Sequence, residues 1–276
     1  MCRWVAYAGP DIYLEDLLFS QENSLISQSL RARQSVQTTN GDGFGVAWYG
    51  RRTKPGLFRD ILPAWNDENL RSLAAQVQSR LFFAHVRAST GTSVARTNCH
   101  PFQYKNWAFM HNGKIGNWMQ CRRDVEALIS PDLYPHRQGT TDSEALFMVA
   151  LSQGLREDPQ RAMERSVQRI LQVMQSHQAS EPLRMSAAVT DGKMIWAFRY
   201  SSDRASPSLY FGNPHTRAAD NMGPSASAQI AQALPTQVNT IASEPSDEGE
   251  HWQAVPEAHG LQWREGQVST FTFEPV

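Results

Sequence analysis

The chain opens with the stretch Met1-Cys2-Arg3-Trp4-Val5-Ala6-Tyr7-Ala8, which predicts a first strand over Cys2–Ala8. If the initiator methionine is removed, which the small side chain of Cys2 permits, Cys2 carries a free α-amine beside its thiol. The amine titrates near pKa ~7.8 and a free thiol near ~8.5, so the amine can accept the thiol proton at neutral pH. The stretch therefore predicts a nucleophile and its base on one residue. The alternative is a small residue that merely begins a strand.

Composition and charge limit the kinds of substrate and partner that are expected. The 276 residues are 41% hydrophobic and 10% aromatic, as in an ordinary globular protein able to bury a substantial core. Lys and Arg number 26 against 27 Asp and Glu, giving a net charge of −1. A net charge this close to zero does not indicate binding to nucleic acid or to an anionic membrane. We therefore expect a small-molecule or peptide substrate.

The cysteines and the apolar stretches indicate the compartment. Cys2, Cys99 and Cys121 have no disulfide-framework spacing and cannot all pair with one another. The apolar stretch Trp4–Ala8 is too short for a signal peptide, and no run approaches the ~20 apolar residues of a membrane span. We expect a cytoplasmic protein.

Periodicity and turn signals predict the order of elements. Gly9-Pro10 predicts a turn after the first strand, and Asp11 a cap for the helix that follows. Predicted helices cover 11–19, 25–30, 67–79, 117–129 and 159–177, with another that opens at Gly139–Glu144. In this opening, Thr141 and Glu144 have the spacing of a capping box, which places Asp142 in the first turn. Predicted strands cover 44–49, 81–87, 107–110, 185–190, 194–200, 238–243 and 268–273.

The order of these elements predicts one domain with two sheets enclosing a helical layer, because strands come first, then two central helices, then strands again. The turn Asp191-Gly192 predicts a hairpin between two of the later strands. Residues 213–236 are rich in Ala, Ser, Pro and Gln and are predicted to form an exposed loop.

Four segments place polar groups where an apolar strand ends or a helix begins, which is where functional sites are built. They are Cys2, His85–Gly91, His111-Asn112-Gly113 and Thr140–Glu144. Each has a plainer interpretation taken alone. Arg87 would be a surface salt-bridge partner, Asn112-Gly113 a type I′ turn, and Asp142 a charge favoured by the helix dipole.

Together and in this order, the four segments resemble the class II glutamine amidotransferases, which are N-terminal nucleophile hydrolases. The resemblance is to their stand-alone subgroup, with the YafJ-type proteins and the γ-glutamyl amidohydrolases of ergothioneine synthesis and glutathione degradation. It extends from Cys2 to Ser243-Glu244-Pro245 and Trp252. The resemblance implies an α+β fold, a four-layer αββα sandwich with two mostly antiparallel sheets between helical layers. It also implies that residues 1–276 form a single glutamine amidotransferase type 2 domain.

The family resemblance implies a role for each matching residue. Cys2 would be the nucleophile that forms a γ-glutamyl thioester, and Asn112 and Gly113 would stabilise the oxyanion. Arg87 would bind the substrate α-carboxylate, Asp142 its α-ammonium group, and Thr90 would also contact substrate.

The family pattern gives the histidines a structural role. His85 and His100 would hold the loop rather than exchange protons. Cys99, His100, His85 and His111 include zinc-ligand types, but Cys99 and His100 are adjacent and no second close pair exists, which argues against a zinc site. Nothing in the sequence implies a metal or an organic cofactor.

One residue departs from the family pattern, because Gly91 follows Thr90 where members with a fused synthase domain usually have histidine. This leaves open whether the substrate is glutamine or a larger γ-glutamyl compound. Three functions follow as expectations. The chain hydrolyses γ-glutamyl amides, supplies ammonia to a separate synthase partner, or is a catalytically silent binding or regulatory module. A homo-oligomer is also open.

Overall fold

Two antiparallel sheets organise the molecule. A computed structural model describes residues 2–31, 39–89, 91–214 and 238–275. In these ranges the strands are β1 (Arg3–Tyr13), β2 (Phe44–Trp48), β3 (Gly56–Asp60), β4 (Gln78–Val86), β5 (Phe102–Tyr104), β6 (Trp107–Lys114), β7 (Arg184–Thr190), β8 (Ile195–Ser201), β9 (Tyr210–Gly212), β10 (Thr240–Ala242), β11 (Gln253–Ala254), β12 (His259–Arg264) and β13 (Gln267–Thr272). The helices are α1 (Leu14–Leu18), α2 (Leu25–Leu30), α3 (Glu68–Ala74), α4 (Trp118–Glu126), α5 (Asp142–Ser152) and α6 (Pro159–Ser176).

The first sheet has β1 and β4 near its centre, in the strand order β11-β9-β10-β1-β4-β2-β3. β1 pairs antiparallel with β4 from Arg3 opposite Val86 onward, and with β10 on its other side, where Val5 lies opposite Ala242. Cys2 therefore lies just beyond the paired start of a central strand, beside the end of β4.

The second sheet has the order β13-β12-β8-β7-β6-β5. The predicted hairpin at Asp191-Gly192 joins β7 and β8, and the Asp191 carboxylate accepts the backbone N–H groups of Lys193 and Met194, both at 2.9 Å. β6 pairs with β7, with Asn112 opposite Ser186. The strand that carries Asn112 is therefore held in the sheet by a neighbour.

The two sheets pack directly on each other, and the helices cover their outer faces. Trp4, Ala6 and Ala8 of the first sheet share a buried core with Ala108 and Met110 of the second. The helices α1, α2 and α3 pack on the outer face of the first sheet, and α4, α5 and α6 on that of the second. The four-layer αββα arrangement expected from the family is confirmed. The helical layer between the sheets, expected from element order, is wrong.

The beginning of the chain differs locally from the predicted elements. β1 runs through Gly9-Pro10 to Tyr13, with a register shift between Ala8 and Ile12, so the predicted turn is an irregularity inside one strand. Helix α1 begins after Tyr13, and Asp11 is not its cap. The predicted helix 67–79 ends at Ala74, because the chain enters β4 at Gln78.

Several short strands were not predicted. These are β3, β5, β9, β11 and β12. In the predicted loop 213–236, residues 215–236 lie outside the described residues. No helix in the described part of the chain is both long and apolar enough to cross a membrane.

Candidate active site

Cys2 is half-buried where β1 meets the segment that follows β4. Its Sγ accepts the backbone N–H of Ala88 at 3.5 Å and lies 3.6 Å from the Ala88 carbonyl oxygen. Burial raises the pKa of the Cys2 thiol, while the Ala88 N–H and the cation of Arg87 act in the opposite direction. A thiol with a raised pKa needs a base to become a nucleophile at neutral pH. Met1 lies outside the described residues.

Strand alternation places Cys2, His85 and Asn112 on the inner faces of the two sheets, and the region between these three residues is here called the cleft. Trp4 of β1, Phe83 of β4 and Met110 of β6 lie in the core between the sheets. Side chains two residues away along a strand point to the same face, so His85 and Asn112 also lie on the inner faces. By the same alternation, Cys2 lies on the inner face at the start of β1. Trp4 Nε1 links the sheets by donating to the Ser186 carbonyl at 3.2 Å.

The Asn112 side chain is only 1% exposed, yet neither its Nδ2 nor its Oδ1 has a partner among the described residues. Buried amides are normally hydrogen-bonded, so Asn112 has both a donor and an acceptor available for another group. Asn112-Gly113 is part of β6 and not a type I′ turn. A Cβ at Gly113 would lie 1.9 Å from the Arg184 carbonyl oxygen, so only glycine fits this close approach of strands.

Arg87 is 3% exposed, so the interpretation as a surface salt-bridge residue is wrong. Its Nη2 donates to Thr92 Oγ1 at 2.7 Å and to Ser89 Oγ at 3.2 Å, and its Nη1 donates to the Asp42 carbonyl at 3.3 Å. The guanidinium therefore holds the loop that follows β4. Thr90 lies outside the described residues.

Asp142 is the first residue of α5, as predicted. Its Oδ2 accepts the Ile115 backbone N–H at 2.8 Å and its Oδ1 accepts the Ser143 N–H at 2.8 Å, so the carboxylate is fixed against the end of β6. The capping box is half formed. Thr141 Oγ1 accepts the Glu144 N–H at 3.1 Å, but the Glu144 carboxylate accepts the N–H groups of Gln138 and Gly139 instead of turning back to Thr141.

Three buried histidines lie behind the cleft. The His85 and His100 rings stack with centroids 4.1 Å apart, and His85 Nε2 lies 3.2 Å from the His111 carbonyl oxygen. Burial lowers the pKa of His85 to about 3, that of His100 well below its ordinary value, and that of His111 in the same direction. Neutral, buried histidines fill space between strands and do not exchange protons at neutral pH. Among the described residues, no group of three or more His, Cys, Asp or Glu could hold a metal ion.

The structure adds two contributors that the sequence reasoning missed. Ala88 supplies the backbone N–H beside the thiol, which no side-chain pattern reveals. Asp42 accepts the Ser89 N–H at 2.7 Å through its carboxylate and donates its own N–H to the Arg87 carbonyl. The sequence signal that could have found Asp42 is the glycine-rich stretch Asn40-Gly41-Asp42-Gly43. Asp42 contacts the segment that follows β4, which carries Arg87 and Ser89.

The sequence is similar to known glutamine amidotransferases. The family model described as "Glutamine amidotransferases class-II" matches residues 19–276. The chain is 35% identical to the probable glutamine amidotransferase DUG3 of Saccharomyces cerevisiae, over 93% of this chain and 80% of that protein. It is 32% identical to the gamma-glutamyl-hercynylcysteine sulfoxide hydrolase of Mycolicibacterium smegmatis, over 42% of this chain and 52% of that protein.

Solved structures give the same fold. A glutamine aminotransferase class-II domain protein from Silicibacter pomeroyi superposes with a TM-score of 0.75 at 35% identity, covering 99% of this chain and 100% of that one. The glutamine phosphoribosylpyrophosphate amidotransferase of B. subtilis has a TM-score of 0.62 at 14% identity, covering 99% of this chain and 49% of that one. The second likeness bears on the fold alone.

Proposed function

The chain belongs to the class II glutamine amidotransferases, and we propose that it hydrolyses the γ-glutamyl amide bond of a small-molecule substrate through Cys2. The observation that carries the proposal is the buried, unpartnered amide of Asn112, on the inner face of the second sheet, opposite the inner face of the first sheet where Cys2 lies. A nucleophile and an unused hydrogen-bond donor in one cleft are what acyl transfer requires.

The first half-reaction acylates Cys2. With Met1 removed, the α-amine accepts the thiol proton, and the thiolate attacks the γ-carbonyl carbon. The resulting ammonium gives its proton to the leaving nitrogen as the carbon–nitrogen bond breaks, leaving a γ-glutamyl thioester and a free amine or ammonia. Burial raises the thiol pKa, and the nearby histidines are neutral and buried, which is why the α-amine is the base in this proposal.

The second half-reaction releases glutamate. The same amine accepts a proton from water, whose oxygen attacks the thioester carbonyl, and the sulfur leaves and regains the proton. Each tetrahedral intermediate carries an oxyanion. The Asn112 amide and the Gly113 N–H would stabilise it, and one such donor is typically worth about 3 kcal/mol.

The substrate head group fits the charges at the cleft. The Asp142 carboxylate accepts two backbone N–H groups and keeps lone pairs for an α-ammonium group. Arg87 Nη1 donates to one oxygen among the described residues and has a second N–H for an α-carboxylate. The two opposite charges would select a γ-glutamyl group over a simple amide.

The leaving group is proposed to be larger than ammonia. The printed name of one relative, the gamma-glutamyl-hercynylcysteine sulfoxide hydrolase, supports this. Gly91 is compatible with it, because it departs from the pattern of members with a fused synthase domain.

The three cysteines are unpaired, which supports the expectation of a reducing compartment such as the cytoplasm.

The test begins with intact mass of the untagged protein before and after reaction with 6-diazo-5-oxo-norleucine, an affinity label that mimics glutamine. We expect loss of the initiator methionine and a single adduct on Cys2. The purified protein should then hydrolyse γ-glutamyl peptides, and Cys2→Ser should lower turnover by several orders of magnitude, since a hydroxyl is a far poorer nucleophile.

Other outcomes point to the other functions. Glutamine turnover that requires an added synthase would favour the ammonia-supplying subunit. Retained methionine with no adduct would favour the silent binding module. Near wild-type turnover by a correctly processed Cys2→Ser would contradict Cys2 as the nucleophile.

A further inference from the structure

A buried ion pair lies directly behind Cys2. Arg3 Nε donates to Glu244 Oε2 at 2.8 Å, and both side chains are 1% exposed. The register of β1 and β10 places them together. Val5 lies opposite Ala242 and Ser243 donates its N–H to the Trp4 carbonyl, so the next position pairs Arg3 with Glu244 on the outer face. The pair is thus built by the sheet and does not depend on flexible surface chains.

The guanidinium reaches from this pair to the backbone of the nucleophile. Arg3 Nη1 donates to the Cys2 carbonyl oxygen at 2.9 Å. The second carboxylate oxygen of Glu244 accepts from Asn23 Nδ2 at 3.2 Å, and Gln28 Nε2 donates to the Asn23 carbonyl at 2.8 Å. The cation that holds Cys2 is therefore itself held through Glu244 by the segment 23–28.

A mature N-terminal residue needs such an anchor. Once Met1 is removed, no peptide bond precedes Cys2, and the paired part of β1 begins only at Arg3. The orientation of the Cys2 carbonyl then determines where the α-amine and thiol point. A free chain terminus ordinarily frays, and a nucleophile that wanders by about 1 Å loses about 100-fold in rate.

We propose that Arg3 and Glu244 are positioning residues, which fix the backbone of Cys2 so that its amine and thiol face the oxyanion site. Neither touches substrate, since both side chains lie on the outer face of the first sheet. The inference rests on the proposed function for its kinetic readout. It also predicts a physical property, a tethered N-terminus, that can be measured without any substrate.

The experiment uses protein released from a cleavable N-terminal fusion, so that Cys2 is the first residue. Removal of Cys2 by a broad-specificity aminopeptidase is followed by intact mass for wild type, Arg3→Lys and Glu244→Gln. Lysine keeps the charge but cannot bond Glu244 and the Cys2 carbonyl through one planar fork. We expect removal at least about tenfold faster in both variants, because their N-termini open locally more often.

Two further variants separate positioning from folding. Ile170→Ala, on the buried face of α6, is the control for loss of stability and should release Cys2 at the wild-type rate. If the single variants do not fold, the double variant Arg3→Met with Glu244→Leu removes both buried charges together, a change that folded proteins tolerate well. It should also lose Cys2 faster than wild type.

The kinetic readout uses γ-glutamyl-p-nitroanilide. We expect kcat to fall about 10- to 100-fold in the folded variants, with KM changed by less than about threefold. Trimming at the wild-type rate, or an unchanged kcat in a folded variant, would overturn the positioning role. If wild-type protein hydrolyses no γ-glutamyl compound, the proposed function fails. The rates of Cys2 removal by the aminopeptidase then test the positioning role of Arg3 and Glu244 on their own.

Discussion

Asn112→Ala should separate stability from activity. In the free protein the amide of Asn112 is buried with no partner among the described residues, which costs about 1–3 kcal/mol relative to a satisfied or absent polar group. Truncation removes that penalty and leaves a small cavity, which costs about 1 kcal/mol. The net expectation is a variant as stable as wild type or up to about 2 kcal/mol more stable.

Activity should move in the opposite direction. Asn112 is proposed to donate to the oxyanion only when a substrate is being attacked. Losing one such donor lowers kcat by about 10²- to 10³-fold, which corresponds to about 2.7–4 kcal/mol. KM should change little, because the donor acts on the transition state and not on the head group.

Asn98 is the matched control. It is also 1% exposed, but its Nδ2 donates to the Ser93 carbonyl at 2.9 Å and its Oδ1 accepts the Thr140 N–H at 2.8 Å. Asn98→Ala leaves these buried partners without a hydrogen bond and should lower the free energy of unfolding by about 1–3 kcal/mol. Urea unfolding of both variants and steady-state kinetics of Asn112→Ala make the comparison. Equal destabilisation of the two variants, or a kcat for Asn112→Ala within a few-fold of wild type, would refute the reasoning.

Three other perturbations test the site and its support. Asp142→Ala should raise KM about 10- to 100-fold by removing the ammonium partner, while mass spectrometry still detects iodoacetamide labelling of Cys2; an unchanged KM would contradict that role. Gly113→Ala should lose at least about 1–3 kcal/mol in urea unfolding, because its Cβ meets the Arg184 carbonyl, whereas Gly50→Ala has open space and should be neutral. Burial lowers the pKa of His85 to about 3, so the unfolded chain binds the extra proton first and stability falls as pH drops below ~6.5. Between pH 7 and 4.5 this loss is about 2.5 kcal/mol, and His85→Phe should show a correspondingly shallower decline in urea-unfolding free energy.

The sequence singled out candidate residues for the site without giving their local conformation. Cys2, Asn112 and Asp142 were chosen because each lies where an apolar strand ends or a helix begins, and because the four segments together resemble one family. Asn112-Gly113 was nevertheless a candidate for a turn, since the pair has high turn preference. Pairing of β6 with β7 decides otherwise, and that partner lies about 70 residues further along the chain.

The layer order failed for a related reason. The helical layer between the sheets was predicted from the order of the elements, and α5 is indeed buried from Ala145 to Leu151. In the structure β6 covers one side of α5 and the helices α4 and α6 cover the other. Burial around a whole helix shows that the helix is covered on every side, but it does not show whether helices or strands cover it. Short strands such as β3 were missed because their residues are half-exposed and their pairing is set by distant strands.

The anchor behind Cys2 shows how one strand divides two tasks between its faces. The even-numbered positions Cys2 and Trp4 face the cleft, where the chemistry is proposed to occur, and Arg3 between them faces the outer layer. A nucleophile that is also the first residue lacks the tether that an internal residue has, which is the preceding peptide bond. Its neighbour on the opposite face can replace that tether only if it is itself immobile, and a guanidinium paired with a carboxylate from the segment that follows β10 meets this condition. Once Met1 is removed, no residue would precede Cys2, so its support would come from the neighbouring strands and the segments that extend from them, such as the one that carries Glu244.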